Sequence, residues 1–274
     1  MRRAVVPALA LLLMTACGPM QPAAAPASAE PALLTGELLQ FRRDSEARVL
    51  QVRLTAAREG LVLESVDVDA HGFHPYPSFE GTTELPAGRP LDLRVTLTTP
   101  DCSIAPTDIT ARVMLAGRAA PVLVPLRDRG LLRRLHTKEC ADESLLQHVS
   151  IEVVSLTETE VADGPALRAT VRLTRRSGSE PVRIDDVGDN TVYVIDPRGD
   201  LPTLGAEGSV DLVLDLLPSR CDVHALGESY RTSLIDLRVA VGDEPARTFV
   251  FMAADPVRRQ IEQFAVDTCR GTGG

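Results

Sequence analysis

The chain repeats itself at an offset of 119 residues, and nothing else in it limits the possible folds as tightly. Val52-Arg53-Leu54-Thr55 returns as Val171-Arg172-Leu173-Thr174, Leu85 and Ala87 as Leu204 and Ala206, Asp92-Leu93 and Leu97 as Asp211-Leu212 and Leu216, and Cys102 as Cys221. One register held over about fifty residues marks a single structural unit used twice. Beyond the cysteines the match continues with small insertions in the second copy. Ala111-Arg112-Val113 then stands against Leu237-Arg238-Val239, and Val122-Leu123-Val124 against Phe249-Val250-Phe251. The boundary falls near His148, giving units at 33–147 and 148–274.

Inside each copy apolar and polar residues alternate. Leu50, Val52 and Leu54 are set against Gln51 and Arg53, and Leu91, Leu93, Val95 and Leu97 against Asp92, Arg94 and Thr96. A period of two gives strands with one buried face. Ala169 to Leu173 and Val210 to Leu216 are the equivalents, and turn formers such as Pro86-Ala87-Gly88 and Pro197-Arg198-Gly199-Asp200 separate the runs. The expected fold is all-β: two tandem antiparallel β-sandwich domains of immunoglobulin-like architecture, related by internal duplication. Tryptophan is absent, so the immunoglobulin core signature is missing and the likeness is one of architecture alone. Each copy is expected to add one short helix near its C-terminus. In the second copy Asp255 would cap it, Pro256 would take its first turn, and Val257, Ile261 and Phe264 would share a face. Asp128 to Leu135 is the expected counterpart.

Ahead of the first copy, Arg2 and Arg3 precede an apolar run from Ala4 to Leu13. That run is too short for the roughly 20 residues a helix needs to cross a bilayer, so residues 1–16 read as a removable secretory signal. Met14-Thr15-Ala16-Cys17 resembles the lipobox of bacterial membrane lipoproteins, with Met14 where leucine is usual. The resemblance covers the leader alone. It implies a lipid, palmitate among its chains, on Cys17, and a protein held on the extracytoplasmic face of the cell membrane. The alternative is an ordinary cleaved signal. Residues 17–32 hold many prolines and alanines and little to bury, as a tether would. The mature part resembles tandem β-sandwich lipoproteins of uncharacterised role.

Removal of residues 1–16 leaves 27 basic against 38 acidic side chains, a formal charge of −11. An acidic chain lacks the basic surface that phosphate backbones require, so nucleic acid is not an expected partner. All but one of the basic residues are arginine; the exception is Lys138.

Four cysteines remain beyond Cys17: Cys102, Cys140, Cys221 and Cys269. Exported proteins meet oxidising surroundings, where bridges form. Three pairings are open, and the duplication favours Cys102 with Cys140 and Cys221 with Cys269, since each copy then closes itself in the same way.

The sequence holds no Gly-x-Ser-x-Gly, His-Glu-x-x-His or Gly-x-x-x-x-Gly-Lys motif. Ser229 lacks the following glycine of a nucleophile turn and reads as a loop serine. His71 and His74 stand close together in an aromatic and proline-rich segment, and Cys221-Asp222-Val223-His224 has a ligand-like spacing, but neither supplies a complete metal site. Phe73, Tyr76 and Phe79 fit the top of the first core better than an exposed patch. No catalytic residue, cofactor or metal is assigned. The expected role is a non-catalytic binding or structural module of the cell envelope, anchored through Cys17, with an envelope protein or small ligand as partner. The alternative is a metal-handling or enzymatic lipoprotein with its site in the 71–79 loop or at the domain interface.

Overall fold

A computed structural model describes residues 32–227 and 229–271; the signal, Cys17 and nearly all of the linker lie outside them. The first unit runs β1 (Leu34–Leu39), β2 (Val49–Ala56), β3 (Leu61–Asp69), β4 (Ser78–Leu85), β5 (Pro90–Thr96), β6 (Thr110–Leu115), β7 (Val122–Arg127) and α1 (Leu131–His148). The second opens with β8 (Val149–Val161), β9 (Gly164–Arg175), β10 (Val182–Gly188), β11 (Tyr193–Pro197), β12 (Thr203–Leu204) and β13 (Ser209–Pro218). It continues through α2 (Val223–Gly227), α3 (Ser229–Thr232), β14 (Leu234–Val241), β15 (Arg247–Met252) and α4 (Asp255–Gly271). The backbone at Ser229 is therefore helical, not the loop expected of it.

The alternation in the sequence becomes two cores. Leu50, Val52, Leu54, Leu93 and Val95 turn inward in the first, and Leu167, Val171, Leu173, Leu212 and Leu214 do so in the second. Each of these side chains is almost fully removed from water, which at about 25 cal/mol per Å² of apolar surface is the main force holding the layers together. Phe73 lies wholly within the first core and Phe79 packs on its margin.

In the second unit two four-stranded sheets, β12-β10-β14-β15 and β11-β13-β9-β8, remain separate. The first unit follows the same plan but joins its layers into one nearly closed sheet, β4-β3-β6-β7-β1-β2-β5. The join is a parallel contact pairing Gly36 with Leu126 and Glu37 with Arg127. A side chain at Gly36 would crowd it, because a β-carbon there would lie 2.4 Å from Leu126 Cδ2, which would have to move. Opposite Leu54 on β2 stands Gly36, whereas opposite the equivalent Leu173 on β9 stands Ile151. Ile151 instead packs against the second core.

The copies also part at β4. By the repeat offset, His74 to Ser78 corresponds to Tyr193–Pro197, which is β11 and pairs with β13. In the first copy Pro75 and Pro77 supply no N–H for such a ladder, and the segment stays a loop.

Both helices are longer than expected, 18 residues in α1 and 17 in α4. Asp128 does not begin α1 but caps it, accepting from the N–H groups of Gly130 and Leu132 at 2.9 and 3.0 Å. Leu131, Leu132 and Leu135 pack on the first core while Leu145 and Leu146 pack on the second, so α1 belongs to both and runs directly into β8. In α4, Ile261 and Ala265 are buried and Val257 and Phe264 flank them, the face expected from the sequence.

Candidate functional site

Disulfides join Cys102 to Cys140 and Cys221 to Cys269, with Cα separations of 5.5 and 5.2 Å. In each copy the bridge ties the loop after a strand (β5 or β13) to the following long helix. Oxidised Cys221 has no thiolate to share with His224, which sits exposed on α2. His136, which no sequence motif marks, is buried beside the first bridge: Nε2 donates to the Asp101 carbonyl at 3.0 Å, and its ring meets Phe73 edge-on at 5.6 Å.

The 71–79 loop gathers several polar rings. His71 Nε2 is 3.6 Å from Asp69 Oδ1, a buried oxygen with no hydrogen-bond partner among the described residues. Tyr76 stacks at 4.9 Å on His74, and desolvation, then the adjoining Asp69 carboxylate, raises its phenol above the usual range. Both histidines are exposed. Among the described residues no three histidine, cysteine or carboxylate side chains converge as a metal site.

On the outer face of the second unit, Asp215 is fully buried beneath two arginines. Arg168 grips it at 2.7 and 2.9 Å, and Arg198 adds a further contact. The Arg168 guanidinium, seconded by Arg198, holds this carboxyl below the usual range. Both oxygens of the carboxylate are occupied, so the cluster braces β9, β13 and the turn after β11 rather than presenting a reactive group.

Between the helix shared by the two cores and the edge of the second unit lies a groove of about 500 Å³. Arg133, Arg134, Thr137 and Lys138 of α1 line one side, and Arg247 and Thr248 of β15 the other. Asp142 bridges the two, accepting from Lys138 Nζ at 2.6 Å and Arg247 Nη1 at 3.1 Å. The contributing residues are over a hundred positions apart, which hid the groove from any local motif.

No protein-family model and no curated protein matches the chain. Among solved structures it is similar to a protein of unknown function from Porphyromonas gingivalis W83, at 13% identity, covering 81% of this chain and 99% of that one with a TM-score of 0.20. It is also similar to red sea bream transglutaminase at 10% identity, covering 82% of this chain and 32% of that one with a TM-score of 0.24. At these scores neither likeness carries an argument.

Proposed function

We propose that the chain is a lipid-anchored, extracytoplasmic protein serving as a non-catalytic binding or structural module of the cell envelope. The observation that carries this reading is one disulfide per copy, at equivalent places, each closing a unit between a strand end and a helix. Bridges used in this structural way belong to oxidising compartments. The secretory leader and the lipobox-like Met14-Thr15-Ala16-Cys17 supply the address, and residues 17–32 the distance from the bilayer. What the copies hold in common is scaffold: inward faces, bridge and a cross-strand Arg–Asp pair. The groove between the helix and β15 offers a surface for a partner.

The test is the mass of mature protein extracted from membranes, with and without reduction, beside a Cys17→Ala variant. A lipid-sized increment on Cys17, release of the variant from the membrane, and a gain of about 4 Da on reduction are expected. An unmodified soluble product with four free thiols would overturn the reading.

The second reading, metal handling in the 71–79 loop, draws on Asp69 Oδ1, buried beside His71 with no hydrogen bond among the described residues. Stoichiometric metal in the purified protein, lost in a His71→Ala, His74→Ala variant, would put it in place of the first.

A further inference from the structure

We propose that the outer edge of β8 takes up an extended segment of another protein, one with apolar residues followed by basic ones; the inference deepens the binding-module reading and rests on it. The two copies supply the comparison. Glu37 stands opposite Arg53 on β2 and Glu152 opposite Arg172 on β9, so β1 and β8 are equivalent strands. In the first copy the far side of β1 is taken by β7, through Gly36 with Leu126 and Glu37 with Arg127. In the second copy β8 pairs with β9 alone and β15 with β14 alone among the described residues. β8 is also long, 13 residues where about 5 or 6 is usual, and it ends its sheet with a row of backbone donors and acceptors that no described strand pairs.

The core-side residues of β8 show what the open edge leaves uncovered. Leu38 of β1 is 1% exposed, whereas the equivalent Val153 is only half-buried. So are Ile151 and Leu156, although all three pack on the second core. A strand laid along β8 would cover them and pair the backbone row. Charge decides which segment fits. Beyond the bulge between Val153 and Ser155, Glu158 stands opposite Leu167 and Glu160 opposite Pro165, which puts both carboxylates on the core-side face after Leu156. Glu158 borders a groove of about 560 Å³ beside α4, lined also by Phe264 and Asp267 and by no basic side chain. Neither Glu158 nor Glu160 has an ion-pair partner among the described residues. Inward carboxylates and a bulge guard an edge against indiscriminate pairing, and a segment that brings lysine or arginine to them is the one admitted. The fitting segment therefore alternates, with apolar residues inward along Ile151 to Leu156 and basic ones inward at Glu158 and Glu160, and it lies parallel to β8 as β7 lies on β1.

The experiment is a titration of the full-length Cys17→Ala protein into the fluorophore-labelled peptide Val-Thr-Val-Thr-Val-Thr-Lys-Thr-Lys, read by anisotropy, with hydrogen exchange of the complex. Saturable binding and slowed exchange in β8, with β1 and β2 unchanged, are expected. Glu158→Lys with Glu160→Lys should weaken binding by about tenfold or more. Glu64→Lys with Glu84→Lys, the same change of net charge on exposed strand residues of the first unit, should leave it unchanged. A peptide with glutamate in place of both lysines should not bind, nor should one of the original composition with its alternation scrambled. No saturable binding, equal weakening by the two pairs of variants, scrambled peptide bound as tightly as the ordered one, or protection that falls outside β8 would overturn the proposal. Because the Cys17→Ala protein carries no lipid, the result is independent of the mass measurement on Cys17, and failure of either reading is seen without the other.

Discussion

Arg53 on β2 and Asp92 on β5 face each other across the sheet, joined by two parallel hydrogen bonds, Nε to Oδ1 at 2.6 Å and Nη2 to Oδ2 at 2.8 Å. Arg172 and Asp211, at the same places in the second copy, repeat the arrangement at 2.7 and 2.8 Å. Directly opposed charges are a unit of sheet stabilisation, and the bidentate form fixes the register of the two strands.

The hydrogen-bonded guanidinium holds the Asp92 carboxyl, and likewise Asp211, below the ordinary carboxylate range. A lowered value means stability that is complete above the unfolded pKa of about 4 and is lost as pH falls through the folded one. At pH 7 Asp92→Asn should therefore cost a few tenths to about 1 kcal/mol in chemical unfolding, the small figure reflecting solvent screening. The gap from the natural protein should close as the medium is taken toward pH ~2. A gap that persists there would assign the loss to packing and not to charge.

Gly36→Val should part β1 from β7. The new β-carbon would meet Leu126 Cδ2 at 2.4 Å and Val124 Cγ1 at 3.1 Å, and both belong to packed core side chains with little room to retreat. Overpacking of this kind costs about 1–3 kcal/mol. The Glu37–Arg127 ion pair, 2.8 Å at present, sits on the same contact and should open with it. Hydrogen exchange should show faster amides in β1 and β7 with β9 and β13 unchanged; uniform change across both units would refute a local cause.

The repeat and the period-two pattern make the paired cores legible because inward faces and their spacing are written locally, in Leu50-Val52-Leu54 and again in Val171 and Leu173. Closure of the first sheet is not legible in the same way. It depends on one missing side chain at Gly36 against Leu126, ninety positions away, and a glycine in a strand pattern does not announce its neighbour. Helix α1 is longer than its local pattern suggests because its apolar residues serve two cores. Leu131, Leu132 and Leu135 form one group and Leu145 and Leu146 another, so no single amphipathic stripe runs through. Lys138 likewise stands out in the sequence only as the lone lysine, and its place beside a groove, sharing Asp142 with Arg247, depends on β15 bringing that arginine to the helix.

Asp236→Asn should stabilise the protein at neutral pH. Burial raises this carboxyl above its usual range, in spite of the opposing charges of Arg231 and Lys138. The raised value means that folding favours the protonated form, so a penalty appears as pH rises through the unfolded pKa near 4 and levels off above the folded one. Removing the ionisation should gain a few tenths of a kcal/mol at pH 7, discounted for partial solvation, and nothing at pH ~3. Equal effects at both pH values would contradict a penalty that arises from ionisation.

Tyr193 opens β11 with its ring fully buried, and its hydroxyl donates to the Ile261 carbonyl of α4 at 2.6 Å. The bond crosses the second core, linking a strand of one sheet to the helix that carries Cys269. Burial drives the phenol far above the usual range, since a phenolate there would be stripped of water. Tyr193→Phe keeps the ring and deletes the bond, at an expected cost of about 1 kcal/mol. Because α4 loses a tether and the first unit loses nothing, hydrogen exchange should quicken in α4 while β2 and β5 hold their protection. In the natural protein the absorbance change of Tyr193 should appear only when base unfolds the chain, and the variant should lack that late step. An early, fully reversible titration of all three tyrosines would place Tyr193 in water and remove the physical basis for the tether.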